Sequence, residues 1–321
     1  MKPGPELNVS VIIPNYNHAL YLKQRIDSIL SQTFTNFELI LLDDSSTDNS
    51  QSILNSYRDH SAVKHISINT VNSGSPFKQW RKGIELARGE WIWIAESDDY
   101  ADKDFLEKMM AATRRYPQAG LVYCDSRIID AKDVVTTETF ADLKNRRFRT
   151  DRWSYAHLNT GTNEIESYLL PGGTINNTSA VMFKRSVILE TDLFDAEFRY
   201  IGDKYAFIKI LALTDVAYVP EALNYYRNPF NDKHAGKFLF YAYEQFLVFD
   251  WVYRNIRIAD RKKFFQGFYA NTRNSVFREW NGVKISLYKK MFRRNPYLFM
   301  KSVMHNFMEG VFGRVTQLQK T

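Results

Sequence analysis

The chain has 321 residues, of which 45% are hydrophobic and 25% charged, and this ordinary globular composition disfavours a disordered protein. Cys124 is the only cysteine, so an intrachain disulfide and a cysteine-based zinc site are excluded, and a reducing compartment suits the chain. The N-terminus lacks a signal-peptide pattern, and no apolar run is long enough to cross a bilayer. We therefore expect a cytoplasmic protein that does not span the membrane.

The N-terminal third alternates apolar runs with amphipathic segments, which predicts βα units on a parallel sheet. Apolar runs predict four strands, at residues 9–13, 37–42, 63–68 and 90–95. Helical stripes between the strands comprise Leu22, Ile26, Ile29 and Leu30, and then Phe77, Trp80, Ile84 and Ala87. These patterns predict an α/β fold with a mostly parallel central sheet flanked by helices.

The remaining elements are less regular. A helix is predicted over 102–116 and a strand over 120–129, and further strands are predicted in 179–188 and 215–228 on either side of a helix at 202–213. Residues 131–178 are rich in polar and turn residues, and we expect part of an acceptor or lid region there. From Gly236 onward the pattern predicts aromatic-rich helices with a break near Pro296.

Polar loops follow three of the predicted strands at their carboxyl ends. The segment "PNYN" (14–17) follows the first strand, Asp43 and Asp44 follow the second, and "ESDD" (96–99) follows the fourth. Open α/β sheets bind ligands at this edge. Three carboxylates within four residues repel one another unless a cation is near, and oxygen ligands favour Mg²⁺ or Mn²⁺. The alternative is a solvated acidic turn that caps the next helix.

Two side chains at the same edge indicate a nucleotide site. Tyr16 is placed to stack on a planar base, and a carboxylate of Asp43 or Asp44 can accept a hydrogen bond from a base N–H or a ribose hydroxyl. A lone tyrosine at such a position is usually a packing residue. The combination of three polar loops, one with an aromatic ring and two with paired acids, favours the nucleotide interpretation.

The segments "VSVIIPNYNHALYLKQRIDSILSQTFTNFELILLDDSSTDNS", "NSG" and "KGIELARGEWIWIAESDDY" resemble the nucleotide-sugar-binding half of the family 2 glycosyltransferases, which have the GT-A fold. The resemblance is close over residues 8–105 and continues more weakly to about residue 228 through "TSAVMFKRSVI" and "FDAEFRYIGDKYAFIKI". It implies a nucleoside diphosphate sugar donor, a divalent cation (Mn²⁺ or Mg²⁺) and inversion at the anomeric carbon, in an enzyme that builds a bacterial surface polysaccharide.

The resemblance also assigns roles to residues at the sheet edge. It places Pro14 and Tyr16 in the nucleotide site, with Tyr16 against the base, and it places Asp44 in contact with the base. Asp98 would lie against ribose and metal, and Asp99 would be the main metal ligand.

The second half carries the implied general base. Asp203 matches the family's catalytic acid, and Gly202 stands where a second acid is common, so Asp203 is the single candidate. A helix cap is the alternative role for Asp203. Glu96 stands where many members have aspartate, and its direct role stays open.

The chain departs from the family pattern in "NSGSPFKQWRKGI", where Trp80 occupies the position of a common arginine. Either Lys78 or Arg81 takes over its contact with the nucleotide, or both are ordinary exposed helix residues. His234, in "NDKHAG", stands where some GT-A enzymes place a histidine on the metal, and a plain surface or core histidine is the alternative. Asn177 is a candidate acceptor-site residue or a simple turn.

The predicted organisation is a GT-A domain at 1–235, with a nucleotide-sugar-binding half (8–105) and an acceptor half (106–235), followed by a helical C-terminal extension at 236–321. The net charge of +7 is uneven, because residues 252–321 contain 15 Lys and Arg but only 3 Asp and Glu. This basic aromatic region suits the inner face of an anionic membrane. A solvated helical face is the alternative, and no nucleic-acid module is recognised.

We therefore expect an inverting glycosyltransferase that uses a nucleoside diphosphate sugar, with UDP-sugars favoured, and a glycan or lipid-linked acceptor. A sugar nucleotidyltransferase is the enzymatic alternative, but it needs a glycine-rich phosphate loop after the first strand, and "PNYNHA" contains no glycine. A binding-only relative is the other alternative, and the presence of Asp98, Asp99 and Asp203 argues against it.

Overall fold

The computed structural model describes residues 7–191, 198–228, 238–272 and 282–305. The chain divides into two compact units. The first unit consists of Met1–Gly161, Thr174–Asp195 and Lys209–Asn231, and the second of Thr162–Gly173, Ala196–Ile208 and Asp232–Thr321.

All strands of the described residues lie in one sheet of the first unit. In chain order they are β1 (Val9–Asn15), β2 (Phe37–Asp43), β3 (Val63–Ile68), β4 (Trp91–Ile94), β5 (Tyr100–Ala101), β6 (Ala119–Ile129), β7 (Val135–Thr139), β8 (His157–Asn159), β9 (Val181–Lys184) and β10 (Asp215–Arg227). The order across the sheet is β3-β2-β1-β4-β9-β6-β10-β5, with β7 paired to β6 and β8 to β10.

The helices of the described residues follow or connect these strands. They are α1 (Ala19–Leu30), α2 (Ser50–Ser56), α3 (Pro76–Leu86), α4 (Phe105–Arg115), α5 (Phe140–Phe148), α6 (Gly161–Glu164), α7 (Leu170–Gly172), α8 (Arg185–Leu189), α9 (Gly202–Leu211), α10 (Phe238–Asn255), α11 (Arg261–Thr272) and α12 (Gly282–Arg294), with a further helical stretch at 296–305. Single turns of 3-10 helix occur at Arg152–Ser154 and Thr178–Ala180, and one π turn occurs at Ile165–Leu169.

The predicted parallel arrangement holds for the first four strands. β1 pairs in parallel with β2 on one side and β4 on the other, and β2 pairs in parallel with β3. β1 and β4 are buried along their whole lengths, which explains why their sequences are nearly continuous apolar runs rather than alternating ones. The carboxyl ends of β1, β2 and β4 therefore lie side by side.

Beyond β4 the sheet is mixed. β9 runs antiparallel to both β4 and β6, whereas β6 and β10 are parallel. The α/β class with a central sheet flanked by helices is confirmed, but parallel pairing does not extend across the sheet. The strand predicted over 179–188 is wrong in its second half, because β9 ends at Lys184 and α8 begins at Arg185. The polar stretch 131–178 contains β7, α5 and β8.

The second unit is helical in its C-terminal part. Aromatic side chains join α10 to α11, with the ring of Phe249 packing edge-on against Phe264 and Phe268. Asp250 of α10 accepts hydrogen bonds from Arg294 and Asn295 at the end of α12. Helical structure resumes at 296, so the break predicted near Pro296 is present. Within the described residues no helix is both long enough and apolar enough to cross a membrane.

Candidate active site

A cavity of about 390 Å³ opens at the carboxyl ends of β1, β2 and β4, within the first unit. We call it the strand-edge cavity. It is lined by Pro14, Asn15, Tyr16, His18, Asp44, Asn72, Gly74, Ser75, Pro76, Gln79, Glu96 and Ser97. The three polar loops singled out in the sequence therefore meet in one place, as strand-end residues of a parallel sheet should.

Asp44 is held rigidly in the strand-edge cavity. Its Oδ1 accepts hydrogen bonds from the Asn69 side chain at 2.7 Å, the Ser73 main-chain N–H at 2.9 Å and the Gln79 side chain at 2.7 Å. Among the described residues, its Oδ2 accepts a hydrogen bond from the Ser73 hydroxyl alone, at 2.7 Å. Because a carboxylate oxygen can accept at least two hydrogen bonds, Oδ2 keeps capacity for a ligand donor.

Asp43 has a different function from its neighbour. Its side chain is fully buried and accepts hydrogen bonds from the Asn15 amide at 2.8 Å and from both the main-chain N–H and the hydroxyl of Ser46. The Ser46 hydroxyl in turn accepts the main-chain N–H of Asn17. Asp43 therefore ties the loop after β1 to the loop after β2, which leaves Asp44 as the acid that faces the cavity.

Tyr16 stands at the rim of the strand-edge cavity, and 46% of its surface is exposed. The next residue, Asn17, has a φ of 56°, a left-handed conformation in which asparagine is tolerated. Its side-chain oxygen accepts the main-chain N–H of Thr47, so the turn that presents Tyr16 is anchored to the loop after β2. An exposed ring on a fixed turn suits stacking on a ligand better than packing in the core.

Trp80 and Glu96 are joined across the cavity wall. The indole N–H of Trp80 donates to Oε1 of Glu96 at 2.9 Å, while the ring packs edge-on against Phe77. The chain thus places a neutral donor, fixed by core packing, at the position where the resemblance leads one to expect an arginine. Glu96 is oriented by this bond, and it lines the cavity.

The carboxyl groups of Glu96, Asp98 and Asp99, after β4, repel one another. Burial, together with the charges of Asp98 and Asp99, raises the pKa of Glu96 to about 8, against the opposing effects of Trp80 and Arg25. Burial and the charge of Asp98 raise the pKa of Asp99 to about 7, and Arg25, Ser179 and the Arg227 main chain oppose this shift. Like charges in a desolvated site disfavour ionisation, and a bound cation reverses that effect.

Arg227, at the end of β10, forms hydrogen bonds that hold the acidic loop (residues 96–99) in place. Its main-chain N–H donates to Oδ1 of Asp99 at 2.9 Å, and its Nε donates to the main-chain oxygen of Asp98 at 2.7 Å. The other guanidinium nitrogens bond to the main-chain oxygen of Asp130 and to the side chains of Gln24 and Asp133. The loop is therefore held in place by the last residue of β10.

The donor set suits a hard divalent cation. Asp98 and Asp99 supply adjacent carboxylates, and magnesium-type sites commonly use one or two carboxylates together with phosphate oxygens of a ligand. Within the described ranges no three His, Cys, Asp or Glu side chains are grouped as a ready protein-only metal site. The predicted ligand His234 lies outside the described residues. Asp98 and Asp99 are thus the residues that could hold a metal.

Other predicted site residues lie apart from the cavity lining. Lys78 is exposed on α3, and its ammonium donates to the main-chain oxygen of Ser73 at 2.9 Å. Arg81 is also exposed on α3. Asn177 is buried, donates to the Ser126 hydroxyl and accepts the Ala180 main-chain N–H as the cap of a 3-10 turn. Gln79, between Lys78 and Trp80, is the α3 residue that reaches Asp44.

Asp203 belongs to the second unit, in the first turn of α9. It is half-buried, and its Oδ1 accepts the main-chain N–H of Lys204 at 2.7 Å. Burial raises the pKa of Asp203 to about 6, against the opposing effect of Lys204. The preceding turn is fixed by Glu244 of α10, which accepts three main-chain N–H groups, from residues 199, 200 and 201. A carboxylate with a pKa near neutrality is suited to proton transfer.

Fold and cavity together define an α/β protein with a candidate ligand site at the ends of its parallel strands. A family model described as "Glycosyl transferase family 2" matches residues 10–188, more than half of the chain. The chain therefore belongs to glycosyl transferase family 2.

Individual relatives agree with this assignment. An uncharacterized glycosyltransferase of Haemophilus influenzae is 40% identical over 102 residues, which are 32% of this chain and 40% of the relative. The putative teichuronic acid biosynthesis glycosyltransferase TuaG of Bacillus subtilis is 36% identical over 102 residues, again 32% of this chain and 40% of the relative. The match thus spans less than half of the length of these curated relatives.

Solved structures show the same fold. The crystal structure of Staphylococcus aureus TarS residues 1–349 in complex with UDP-GlcNAc superposes with a TM-score of 0.68 at 17% identity, covering 93% of this chain and 89% of that one. The mannosyltransferase PcManGT from Pyrobaculum calidifontis, in complex with GDP-Man and Mn²⁺, superposes with a TM-score of 0.58 at 16% identity, covering 94% and 87%. These matches confirm the GT-A fold.

Proposed function

We propose that the protein is an inverting glycosyltransferase that transfers a sugar from a UDP-sugar to a hydroxyl of a glycan or lipid-linked acceptor during surface-polysaccharide synthesis. The observation that carries this proposal is the strand-edge cavity, in which a rigid carboxylate, Asp44, and an exposed ring, Tyr16, lie beside the acidic loop that ends in Asp99. Each feature suits one part of a nucleoside diphosphate. Asp44 suits the edge of the base, Tyr16 suits the face of the base, and the acidic loop suits the phosphates.

Asp44 recognises the base in this proposal. Four hydrogen bonds fix its carboxylate, and Oδ2, which accepts only one of them, is positioned to take an N–H from the edge of a uracil ring. Tyr16 covers the face of the same ring, and Pro14 completes the wall. A charge-assisted hydrogen bond of this kind contributes about 1.5–3 kcal/mol, and stacking on an aromatic ring contributes about 1–3 kcal/mol per base.

Asp98 and Asp99 bind the diphosphate end through Mn²⁺ or Mg²⁺. When bound there, the cation supplies Lewis-acid stabilisation of the charge that grows on the leaving diphosphate. Arg227 keeps the two carboxylates in place, and Trp80 keeps Glu96 turned toward the cavity. Lys78 and Arg81, both exposed on α3, would contact the phosphates of the donor, and His234 would add a further ligand to the cation.

Asp203 acts as the general base. The acceptor hydroxyl oxygen attacks the anomeric carbon, its proton passes to the Asp203 carboxylate, and the bond from the anomeric carbon to the diphosphate oxygen breaks. A single displacement of this kind inverts the anomeric centre and needs one proton acceptor only. The pKa of Asp203, raised to about 6 by burial, leaves it ionised and basic near neutral pH.

The acceptor class is inferred from the relatives. Two of them are named a poly(ribitol-phosphate) β-N-acetylglucosaminyltransferase and a teichuronic acid biosynthesis glycosyltransferase, and both names describe surface polymers. A structure of the first was solved with UDP-GlcNAc, which favours UDP as the donor nucleotide here.

Peripheral contact with the inner face of the membrane is proposed through α12. Phe292 on this helix is 47% exposed, and Lys289, Lys290 and Arg293 are exposed beside it. Basic side chains around an exposed aromatic residue suit anionic lipid, at about 1 kcal/mol per basic residue near the surface. Binding to vesicles with and without phosphatidylglycerol tests this contact, and Lys289→Glu with Arg293→Glu should abolish the difference between them.

A thermal-shift panel tests the proposed donor. UDP, GDP and dTDP are each added with and without Mn²⁺, and we expect UDP with Mn²⁺ to raise Tm the most. Asp99→Asn should remove the Mn²⁺-dependent part of the rise, and Asp59→Asn, at an exposed acid far along the chain from the acidic loop, is the matched control. Stabilisation by none of the nucleotides would contradict the proposed function.

A further inference from the structure

Arg25 is a buried arginine that makes no side-chain hydrogen bond within the described part of the chain. It lies on the inner stripe of α1 with Leu22, Ile26 and Ile29, and none of its surface is exposed. Its guanidinium stands over the ring of Trp93, 4.9 Å from the centroid. None of its three guanidinium nitrogens donates a hydrogen bond to any part of the chain that the structure describes.

A buried, unpaired guanidinium is strongly unfavourable, so its presence requires a compensating interaction. Burial lowers the pKa of Arg25 only to about 10, so the side chain remains charged at neutral pH. Three negative groups act on this charge, Asp99 most strongly, followed by Glu96 and Asp98. Contact with Trp93 also helps, but an aromatic ring is a weaker partner for a buried cation than a carboxylate is.

Arg25 makes no hydrogen bond to the carboxylates of the acidic loop within the described residues, and this affects what else the loop can bind. A direct ion pair would occupy carboxylate oxygens, whereas a charge acting through space leaves them available. Oδ1 of Asp99 already accepts the Arg227 main-chain N–H, so the remaining lone pairs of the loop are the ones that a metal needs. Arg25 therefore reduces the repulsion between the carboxylates without competing for their ligand atoms.

We propose that Arg25 is a positioning residue whose positive charge balances the negative charge of the Glu96–Asp99 loop. It holds the loop in its binding arrangement before a metal binds, and it weakens the affinity of the loop for metal alone. A divalent cation held by Asp98 and Asp99 would then bind more tightly together with phosphate oxygens of the donor than alone. The inference rests on the proposed function, in which Asp98 and Asp99 hold the cation.

The first experiment compares Arg25→Met with Arg25→Lys in the full chain. Methionine keeps an unbranched apolar side chain in the buried site but removes the charge, whereas lysine keeps the charge. In EDTA we expect Arg25→Met to melt below wild type, and Mn²⁺ alone should raise its Tm by about twice as much as it raises that of wild type. Arg25→Lys should respond to Mn²⁺ as wild type does. Equal Mn²⁺ responses of wild type and Arg25→Met would overturn the proposal.

The second experiment is a double-mutant cycle that needs no metal. Arg25→Met should lower the urea midpoint in the wild-type background and lower it by much less in Asp99→Asn, because the carboxylate that attracts Arg25 most strongly is lost there. Glu38→Gln is the matched control background, since Glu38 is a buried carboxylate that accepts hydrogen bonds from Ser10 and from the main chain of Arg88. Additivity of Arg25→Met with both backgrounds would overturn the proposal.

The outcomes remain distinguishable from failure of the proposed function. If Mn²⁺ and UDP together do not stabilise wild type, the proposed metal site is wrong, and the urea cycle still decides whether Arg25 balances the acids. If Arg25→Met alone does not fold, the proposal predicts that Arg25→Met with Asp99→Asn folds in EDTA. Failure of that double variant to fold would overturn it.

Discussion

The indole N–H of Trp80 donates a hydrogen bond to Oε1 of Glu96 at 2.9 Å, and this bond connects two of the positions at which the chain departs from the family pattern. Where the resemblance leads one to expect an arginine there is a neutral donor, and where it leads one to expect an aspartate there is a longer carboxylate. The longer side chain of Glu96 reaches the indole N–H of Trp80, and the hydrogen bond between them keeps the Glu96 carboxyl group on the wall of the strand-edge cavity.

Trp80→Phe should show the value of this pair. The change keeps an aromatic ring against Phe77 but removes the N–H group that donates a hydrogen bond to Glu96. We therefore expect the free energy of unfolding to fall by about 1.5–3 kcal/mol and the KM for the nucleotide sugar to rise. Trp91→Phe is the matched control, since Trp91 is equally buried at the other end of β4. Urea denaturation and steady-state kinetics provide both measurements. Equal effects of the two changes would show that the hydrogen bond has no separate role.

Tyr16→Ala should weaken UDP binding by about tenfold or more, because stacking on an aromatic ring contributes about 1–3 kcal/mol per base. Tyr16→Phe keeps the ring and should bind UDP as wild type does. Since Tyr16 is 46% exposed, neither change should lower Tm appreciably. The measurement is fluorescence or calorimetric titration with UDP, and an unchanged affinity in Tyr16→Ala would place the base elsewhere.

Asp203 should control the acidic limb of the pH profile. A base with a pKa of about 6 is protonated below that pH, so kcat should fall as pH decreases through about 6 and level off above about 7. Asp203→Asn should lower kcat about 10²- to 10⁴-fold while donor binding persists. A flat profile between pH 5 and 7, or full activity of Asp203→Asn, would exclude Asp203 as the base.

The same shift has a consequence for stability. The pKa of the folded state exceeds the unfolded value, so ionisation of Asp203 costs stability, and this cost increases as pH rises from about 4 to about 6. Asp203→Asn keeps an oxygen for the Lys204 N–H and removes the charge, so its free energy of unfolding at pH 7.5 should equal or exceed that of wild type. Urea denaturation of both proteins at pH 4.5 and 7.5 checks the sign.

Arg227→Lys should destabilise the acidic loop. Lysine cannot reproduce the fork of hydrogen bonds to the main chain of Asp98 and Asp130, and the site is buried, so we expect a loss on the order of 3 kcal/mol and weaker Mn²⁺-dependent binding of UDP. Arg127→Lys is the control, because Arg127 lies on the adjacent strand and is partly exposed. If both variants lose the same stability and keep wild-type binding, Arg227 does not position the loop.

The sequence predicted the parallel half of the sheet and the loops at its edge, because buried strands read as unbroken apolar runs and polar residues follow where they end. The partners of Asp99 were not predictable in this way. Arg227 is separated from Asp99 by 128 positions, and only the pairing of β10 with its neighbours brings them together. Arg25 carried a signal, since it falls on the apolar stripe of α1 between Leu22 and Ile29, where a charge is unexpected.

The difference between Asp43 and Asp44 likewise depends on the structure. Two adjacent acids at a strand end point in opposite directions, and the sequence does not say which of them faces the ligand. The network around Ser46 uses Asp43 to join two loops, and the network around Ser73 leaves Asp44 facing the strand-edge cavity. The assignment of Asp44 to the base, which the resemblance implies, is therefore supported by the geometry of the loop.

The central claim is that the strand-edge cavity binds a nucleoside diphosphate through Asp44, and calorimetric titration of UDP in the presence of Mn²⁺ tests it most directly. Wild type and Glu85→Gln, which changes an exposed acid of α3, should bind UDP with the same affinity. Asp44→Asn should bind about tenfold or more weakly, because a charge-assisted hydrogen bond contributes about 1.5–3 kcal/mol. Equal affinities of wild type and Asp44→Asn, or no saturable binding of UDP to wild type, would contradict the claim.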